Sequence, residues 1–181
     1  MLASGSPQRR AILEQLGIAF EVEVPGIDEL ESGPPHEVAA ENAYRKAQRV
    51  AERRPEDLIL GVDTVVAVGS RLYGKPAHAT EARATLRALS GRAHAVVSGL
   101  CLIADGRART ATATTLVRFR RLDEPLIDWY LAAGEWPGRA GGYAIQGRGA
   151  ALVERIEGDY WNVVGLPVAT LVALAPGLLD S

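Results

Sequence analysis

Apolar residues recur along this chain in two rhythms, and the switches between them mark its elements. Met1 to Ala3 reads as a short strand running into Ser4-Gly5-Ser6. Ser6-Pro7 then opens a helix, with serine able to cap an unpaired N–H and proline pre-set for the first turn. Ile12, Leu13 and Leu16 follow at helical spacing until Gly17 stops it. Phe20 to Val24 alternates as a strand and breaks at Pro25-Gly26, just before Asp28-Glu29. Beyond Ser32-Gly33-Pro34-Pro35 a long amphipathic helix is predicted to about Arg54, with Ala39, Ala43, Ala47 and Val50 on one face.

Leu58 to Val68 is a strongly apolar strand interrupted by Asp63-Thr64. Gly69-Ser70-Arg71 turns into Tyr73-Gly74-Lys75-Pro76, and Thr80 stands where it can cap a helix reaching about Leu89. Ala95 to Ala104 and Arg109 to Arg121 are β-rich runs joined by Asp105-Gly106, a hairpin signal. Glu124 to Ala133 reads as a helix stopped by Gly134. A glycine-rich loop leads to a strand over Ala151 to Ile156, a turn at Glu157-Gly158-Asp159 and a last helix from about Pro167 to Leu174. Helices alternating with strands around a long hairpin predict a mixed α/β sheet flanked by helices, in one domain over residues 1–181.

Composition narrows the partners. The 181 residues are 48% hydrophobic, enough for a sizeable core, and the net charge of −2 offers no bulk attraction to nucleic acid or an anionic membrane. No run approaches ~18 uninterrupted apolar residues, and no basic-then-apolar leader is readable at the start. Cys101 is the single cysteine, in the apolar setting VVSGLCLIA. It reads as a buried core thiol and fits a reducing cytoplasm, so a cytoplasmic location is expected. His36, His78 and His94 have no ligand spacing and are expected at the surface or in turns. The patterns GxxxxGK[ST], HExxH, GxSxG and CxxC are absent.

The basic residues are skewed: of 20, only Lys46 and Lys75 are lysine. A compact ammonium and a planar guanidinium are not interchangeable at a tight site, so both lysines are candidates for specific use. Arg9 and Arg10, in the first turn of a helix, oppose its dipole, which an anion at that end would offset. Asp63 inside an apolar strand costs several kcal/mol unless it is paired, hydrogen-bonded or on a metal. Glu29 is a candidate second oxygen ligand. Lys75 lies beside Pro76, which fixes the backbone that aims its amine, and Gln146 in the glycine loop can read a base edge through both donor and acceptor.

Together LASGSPQRRAILEQLG, ENAYRKAQRVA, GVDTVV, GKP, LSGRAHAVVSGL and GGYAIQGRGAALVERIEGDYWNVVGLP, in this order and spacing, resemble the Maf family of nucleoside triphosphate pyrophosphatases over nearly the whole chain. The resemblance implies an inosine-triphosphatase-like α/β fold, a mixed twisted sheet with two lobes around a central cleft, in a family whose members are often dimeric. It implies cleavage of a nucleoside triphosphate to the monophosphate and pyrophosphate with a divalent cation, Mg²⁺ or Mn²⁺. By the same resemblance Asp63 is the proton acceptor that activates water and a metal ligand, and Glu29 a metal-binding or catalytic acid. Ser4, Arg9, Lys46 and Lys75 match the groups that hold the triphosphate.

Thr64, next to Asp63, and Gln146 in Tyr143-Ala144-Ile145-Gln146-Gly147 are similar to the branch that takes dTTP and UTP. The 7-methyl-GTP branch tends to carry Gln after the Asp and Ser-Glu in the later loop. Gln8 matches neither, since the pyrimidine branch has Arg and the methyl-GTP branch Trp at that place. A 7-methyl-GTP or broader triphosphate pyrophosphatase, and a non-catalytic nucleotide-binding regulator of cell division, stand as the alternatives.

Overall fold

A computed structural model describes residues 1–179. Its elements are β1 (Leu2–Ala3), α1 (Pro7–Gln15), α2 (Pro35–Ala51), β2 (Ile59–Val68), β3 (Arg71–Tyr73) and α3 (Ala79–Leu89). They continue with β4 (Ala93–Ala104), β5 (Arg107–Phe119), α4 (Glu124–Ala132), β6 (Val153–Glu157), α5 (Tyr160–Val164) and α6 (Val168–Leu174). The strands form one six-stranded mixed sheet in the order β1-β2-β4-β5-β6, with β3 beside β2. β1 runs parallel to β2 and the other pairings are antiparallel, including the long β4–β5 hairpin that turns at Asp105-Gly106.

Strand periodicity assigns the two faces. Ile59, Cys101 and Ile103 point toward α2 and pack with Ala43, Ala47 and Val50. Burial pushes the Cys101 thiol up to about 11, so it stays protonated and inert. Gly61 and Gly99 lie on this same face and let the helix sit unusually close. A methyl group at Gly61 would lie 2.2 Å from the carbonyl oxygen of Ala43, and one at Gly99 2.2 Å from that of Ala39. The opposite face carries two apolar clusters. Leu60 and Val62 pack with Ile12, Leu13 and Leu171, whereas Val66, Val96 and Phe119 pack with Leu86, Ile127 and Tyr130. Thr64 stands between them.

Several boundaries differ from the sequence expectations. Phe20 to Val24 is not a strand: β1 offers two residues to pair with, and only Val22 bridges Leu2. His78 rather than Thr80 caps α3, its Nδ1 accepting from Glu81 N at 3.2 Å. Tyr160-Trp161-Asn162 belongs to the short helix α5, which Asp159 caps by accepting from Trp161 N. His94 is 1% exposed instead of lying at the surface, and its Nε2 meets the Tyr143 hydroxyl at 2.9 Å. Stripped of water there, its pKa falls to about 4. No helix among the described residues is long and apolar enough to cross a membrane.

Candidate active site

β2 is flanked by β1 only as far as Gly61 and by β3 only from Val66, while β4 pairs it from Ile59 to Ala67. One edge of β2 is therefore open over residues 62–65, and Asp63-Thr64 occupies that gap. Interruptions of this kind in open α/β sheets leave room for a ligand next to strand backbone. A cleft of about 460 Å³ opens there. Ser4, Gln8, Arg9, Glu29, Lys46, Asp63, Thr64, Lys75 and Gln146 all line it.

Because successive side chains of a strand alternate, Asp63 and Thr64 serve opposite walls. Asp63 faces α2 and is 5% exposed. Its Oδ1 is 2.6 Å from Lys46 Nζ, and its Oδ2 accepts from Asn42 Nδ2 at 3.0 Å. Asn42 and Lys46 lie one helical turn apart on α2, so the seam formed by Gly61, Gly99 and the alanine stripe sets their reach. A buried carboxylate needs this much: one opposite charge and a donor for the remaining oxygen. Thr64 faces α1, and its hydroxyl lies 2.9 Å from Ser98 Oγ and accepts from Arg9 Nη2 at 3.2 Å.

Arg9 is buried, not a surface cation. Its Nη1 donates to Ser4 Oγ at 2.8 Å and its Nε to the Gly165 carbonyl at 3.0 Å, which ties α1 to the turn after α5. Three of the five guanidinium N–H groups are thus used, and two remain for a ligand. Burial pulls the guanidinium pKa below its ordinary value, and the charges of Asp63 and Glu29 resist that pull. Arg10 is exposed and pairs with Glu14 along the helix at 3.7 Å. Ser6 caps α1, receives the Arg9 N–H at 3.5 Å and donates to Gln8 Oε1 at 3.0 Å. The first turn of α1 carries no acidic residue, so its positive end faces the cleft uncompensated.

Glu29 reaches the cleft on an extended segment between β1's bridge partner and α2. Asn42 clamps the end of that segment, accepting from Leu30 N at 2.7 Å and donating to Leu30 O at 3.0 Å. At the other end Glu23 is held by Arg53 and Arg54. Glu29 Oε1 is 2.6 Å from Lys46 Nζ, and its Oε2 is 3.8 Å from Lys75 Nζ. Lys46 is therefore shared by two carboxylates and Lys75 is loosely held. Gln146 is exposed at the rim.

Sequence reasoning overlooked three contributors. Asn42 stands inside the ENAYRKAQ stretch, and its i,i+4 relation to Lys46 was the available signal. Arg139 and Tyr143 also line the cleft from the glycine-rich segment. Tyr143 heads the motif that resembles the dTTP/UTP branch but carried no role of its own, and nothing in the pattern of the loop singles out Arg139. Among the described residues no cluster of three or more His, Cys, Asp or Glu could enclose a metal. Two carboxylates nonetheless converge on one cation position, each oxygen 2.6 Å from the same ammonium. That donor set fits a cation which keeps part of its shell for substrate oxygens, as Mg²⁺ commonly does.

A mixed α/β sheet interrupted beside a buried carboxylate, with a helix N-terminus and cations facing the gap, is an arrangement suited to a polyanion. The chain belongs to the Maf family, whose model, described as Maf-like protein, matches residues 1–177. It is similar to the dTTP/UTP pyrophosphatase of Gloeobacter violaceus, 46% identical over 176 residues that cover 96% of this chain and 93% of that one. The dTTP/UTP pyrophosphatase of Pyrococcus furiosus is 43% identical over 175 residues, covering 96% and 92%. That of Deinococcus radiodurans is 43% identical over 178 residues, covering 98% and 91%.

Proposed function

We propose that this protein hydrolyses nucleoside triphosphates to the monophosphate and pyrophosphate, with dTTP and UTP as preferred substrates. The observation that carries the reading is the aimed carboxylate: Asp63, fixed by Lys46 and Asn42, in a gap of the sheet faced by cations and the start of α1. Water attacks the α-phosphorus, the bond from that phosphorus to the bridging oxygen breaks, and pyrophosphate leaves. Asp63 takes the proton that the attacking water loses. Lys46 and Asn42 orient that carboxylate, each holding one of its two oxygens. Aiming a base in this way contributes about 10²–10⁴-fold to such reactions.

Ser4, the N–H groups at the start of α1, the two uncommitted N–H groups of Arg9 and the ammonium of Lys75 supply donors for phosphate oxygens. Glu29 and Asp63 would hold a divalent cation, which when bound neutralises phosphate charge and polarises the phosphorus under attack. Gln146 and Thr64 face the substrate away from the buried ion pair, and Gln146 offers a donor and an acceptor to a pyrimidine edge. The similarity to dTTP/UTP pyrophosphatases across almost the full chain supports this choice of base.

The test is pyrophosphate release from dTTP, UTP, CTP, GTP and 7-methyl-GTP with Mg²⁺ or Mn²⁺, repeated with Asp63→Asn. Turnover is expected to favour dTTP and UTP and to fall at least about 100-fold in the variant. Unchanged turnover in Asp63→Asn overturns the assignment of the base. Preference for 7-methyl-GTP overturns the substrate assignment.

A further inference from the structure

The cleft is lined by four cations: Arg9, Lys46, Lys75 and Arg139. Three already have partners. Arg9 is bonded to Ser4, Thr64 and Gly165, Lys46 to Asp63 and Glu29, and Lys75 lies 3.8 Å from Glu29. Arg139 differs: among the described residues no side-chain hydrogen bond or ion pair reaches its guanidinium. Glu135 and Tyr130 act on it only at longer range, and burial lowers its pKa despite Glu135. A half-buried guanidinium with no close anion is an unfavourable thing to keep unless a ligand brings one.

The backbone places this residue beside Lys75. Gly141 N donates to Gly74 O at 3.1 Å, and Gly142 N donates to Arg139 O at 3.0 Å, so the turn that carries Arg139 is laid against the loop that carries Lys75. Two loosely committed cations thus share one rim, in contrast to the buried Arg9 and Lys46. Charge makes the same point. Arg9, Lys46 and Lys75 set against Asp63 and Glu29 leave one net positive charge, whereas a triphosphate brings about four negative ones. Arg139 doubles that balance. A planar fork of N–H donors fits two phosphate oxygens at once, which neutral carbonyls of a pyrimidine do not require.

We propose that Arg139 is a substrate-binding residue that, with Lys75, grips the pyrophosphate half of the nucleotide. This rests on the reading of the cleft as a triphosphate site. Since Asp63 must meet the α-phosphate, the β- and γ-phosphates lie beyond it, and a cation there also receives the charge that gathers on the leaving group. Arg139 would then discriminate triphosphate from monophosphate and be insensitive to the base.

The test is calorimetric titration of inorganic pyrophosphate, and separately of dTMP, with Mg²⁺ into the wild type, Arg139→Ala and Arg139→Lys, with thermal unfolding of each as a check on folding. Arg139→Ala is expected to weaken pyrophosphate binding about tenfold or more and to leave dTMP within about twofold. Arg139→Lys should recover only part of the loss, because it restores the charge without the fork. Equal weakening of both ligands, unchanged pyrophosphate affinity, or no pyrophosphate binding by the wild type overturns the proposal. Wild-type turnover of dTTP is measured alongside. Its absence would undo the hydrolase reading, while the titrations still report on Arg139.

Discussion

The substitution Gly61→Ala tests how the Asp63 carboxylate, the proposed base, is aimed, at a residue that does not line the cleft. A methyl group there would stand 2.2 Å from the Ala43 carbonyl oxygen and 2.8 Å from both the nitrogen and Cβ of Ala47. Carbon atoms rest at about 3.5 Å or more, so α2 would have to retreat by roughly 1 Å. The clashing atoms are helix backbone or Cβ, and no rotamer change relieves them. Overpacking of this kind costs about 1–3 kcal/mol, and a rigid clash belongs at the upper end. For a chain of this size about 3 kcal/mol lowers the Tm by roughly 6–12 °C. The same retreat carries away Asn42 and Lys46, which hold Asp63 at 3.0 and 2.6 Å. A misplacement of about 1 Å is worth about 100-fold in rate. Thermal unfolding by circular dichroism and dTTP turnover well below the variant's Tm read the two effects. Gly177→Ala, where a methyl meets nothing within 4 Å, is the control expected to match wild type. Wild-type Tm and rate in Gly61→Ala would refute the claim that close seating of α2 on the sheet aims the site.

Two further outcomes follow from buried polar groups. His94 has its pKa depressed from 6.5 to about 4 by burial, so the unfolded chain binds a proton that the folded one refuses. Its contribution is fully present above about pH 6.5 and is lost as pH falls toward 4, up to about 3 kcal/mol. Tm measured from pH 7 to 4 should therefore fall less steeply in His94→Gln than in wild type, and parallel curves would contradict this. Asn42→Ala removes both bonds to Leu30 and the donor to Asp63, each buried group left unpaired costing about 1–3 kcal/mol. It should lower kcat through Asp63 and raise KM through the released Glu29 segment, and a normal KM would dissociate that segment from substrate binding.

Much of this protein is legible along the chain because it is written in local physics. The α2 stripe Ala39, Ala43, Ala47 and Val50, the Asp105-Gly106 hairpin and the Ser6-Pro7 helix start depend on spacing, turn chemistry and capping within a few residues. The oddness of Asp63 in an apolar strand was likewise visible, since a buried charge is costly wherever its partner comes from. What folding alone decided is which groups meet. Asn42 and Lys46 converge on Asp63 only because α2 sits close over two glycines that are far apart in sequence but lie on adjacent strands. The gap in β2's edge exists because β1 ends and β3 begins at separated registers, a property of pairing that no single segment carries. Arg139 joins Lys75 through one backbone bond between distant loops, and His94 is buried by neighbours from β5 and the glycine loop. Periodicity reports which side of an element is apolar; the distance across a sheet to the next element is set by the packing of both.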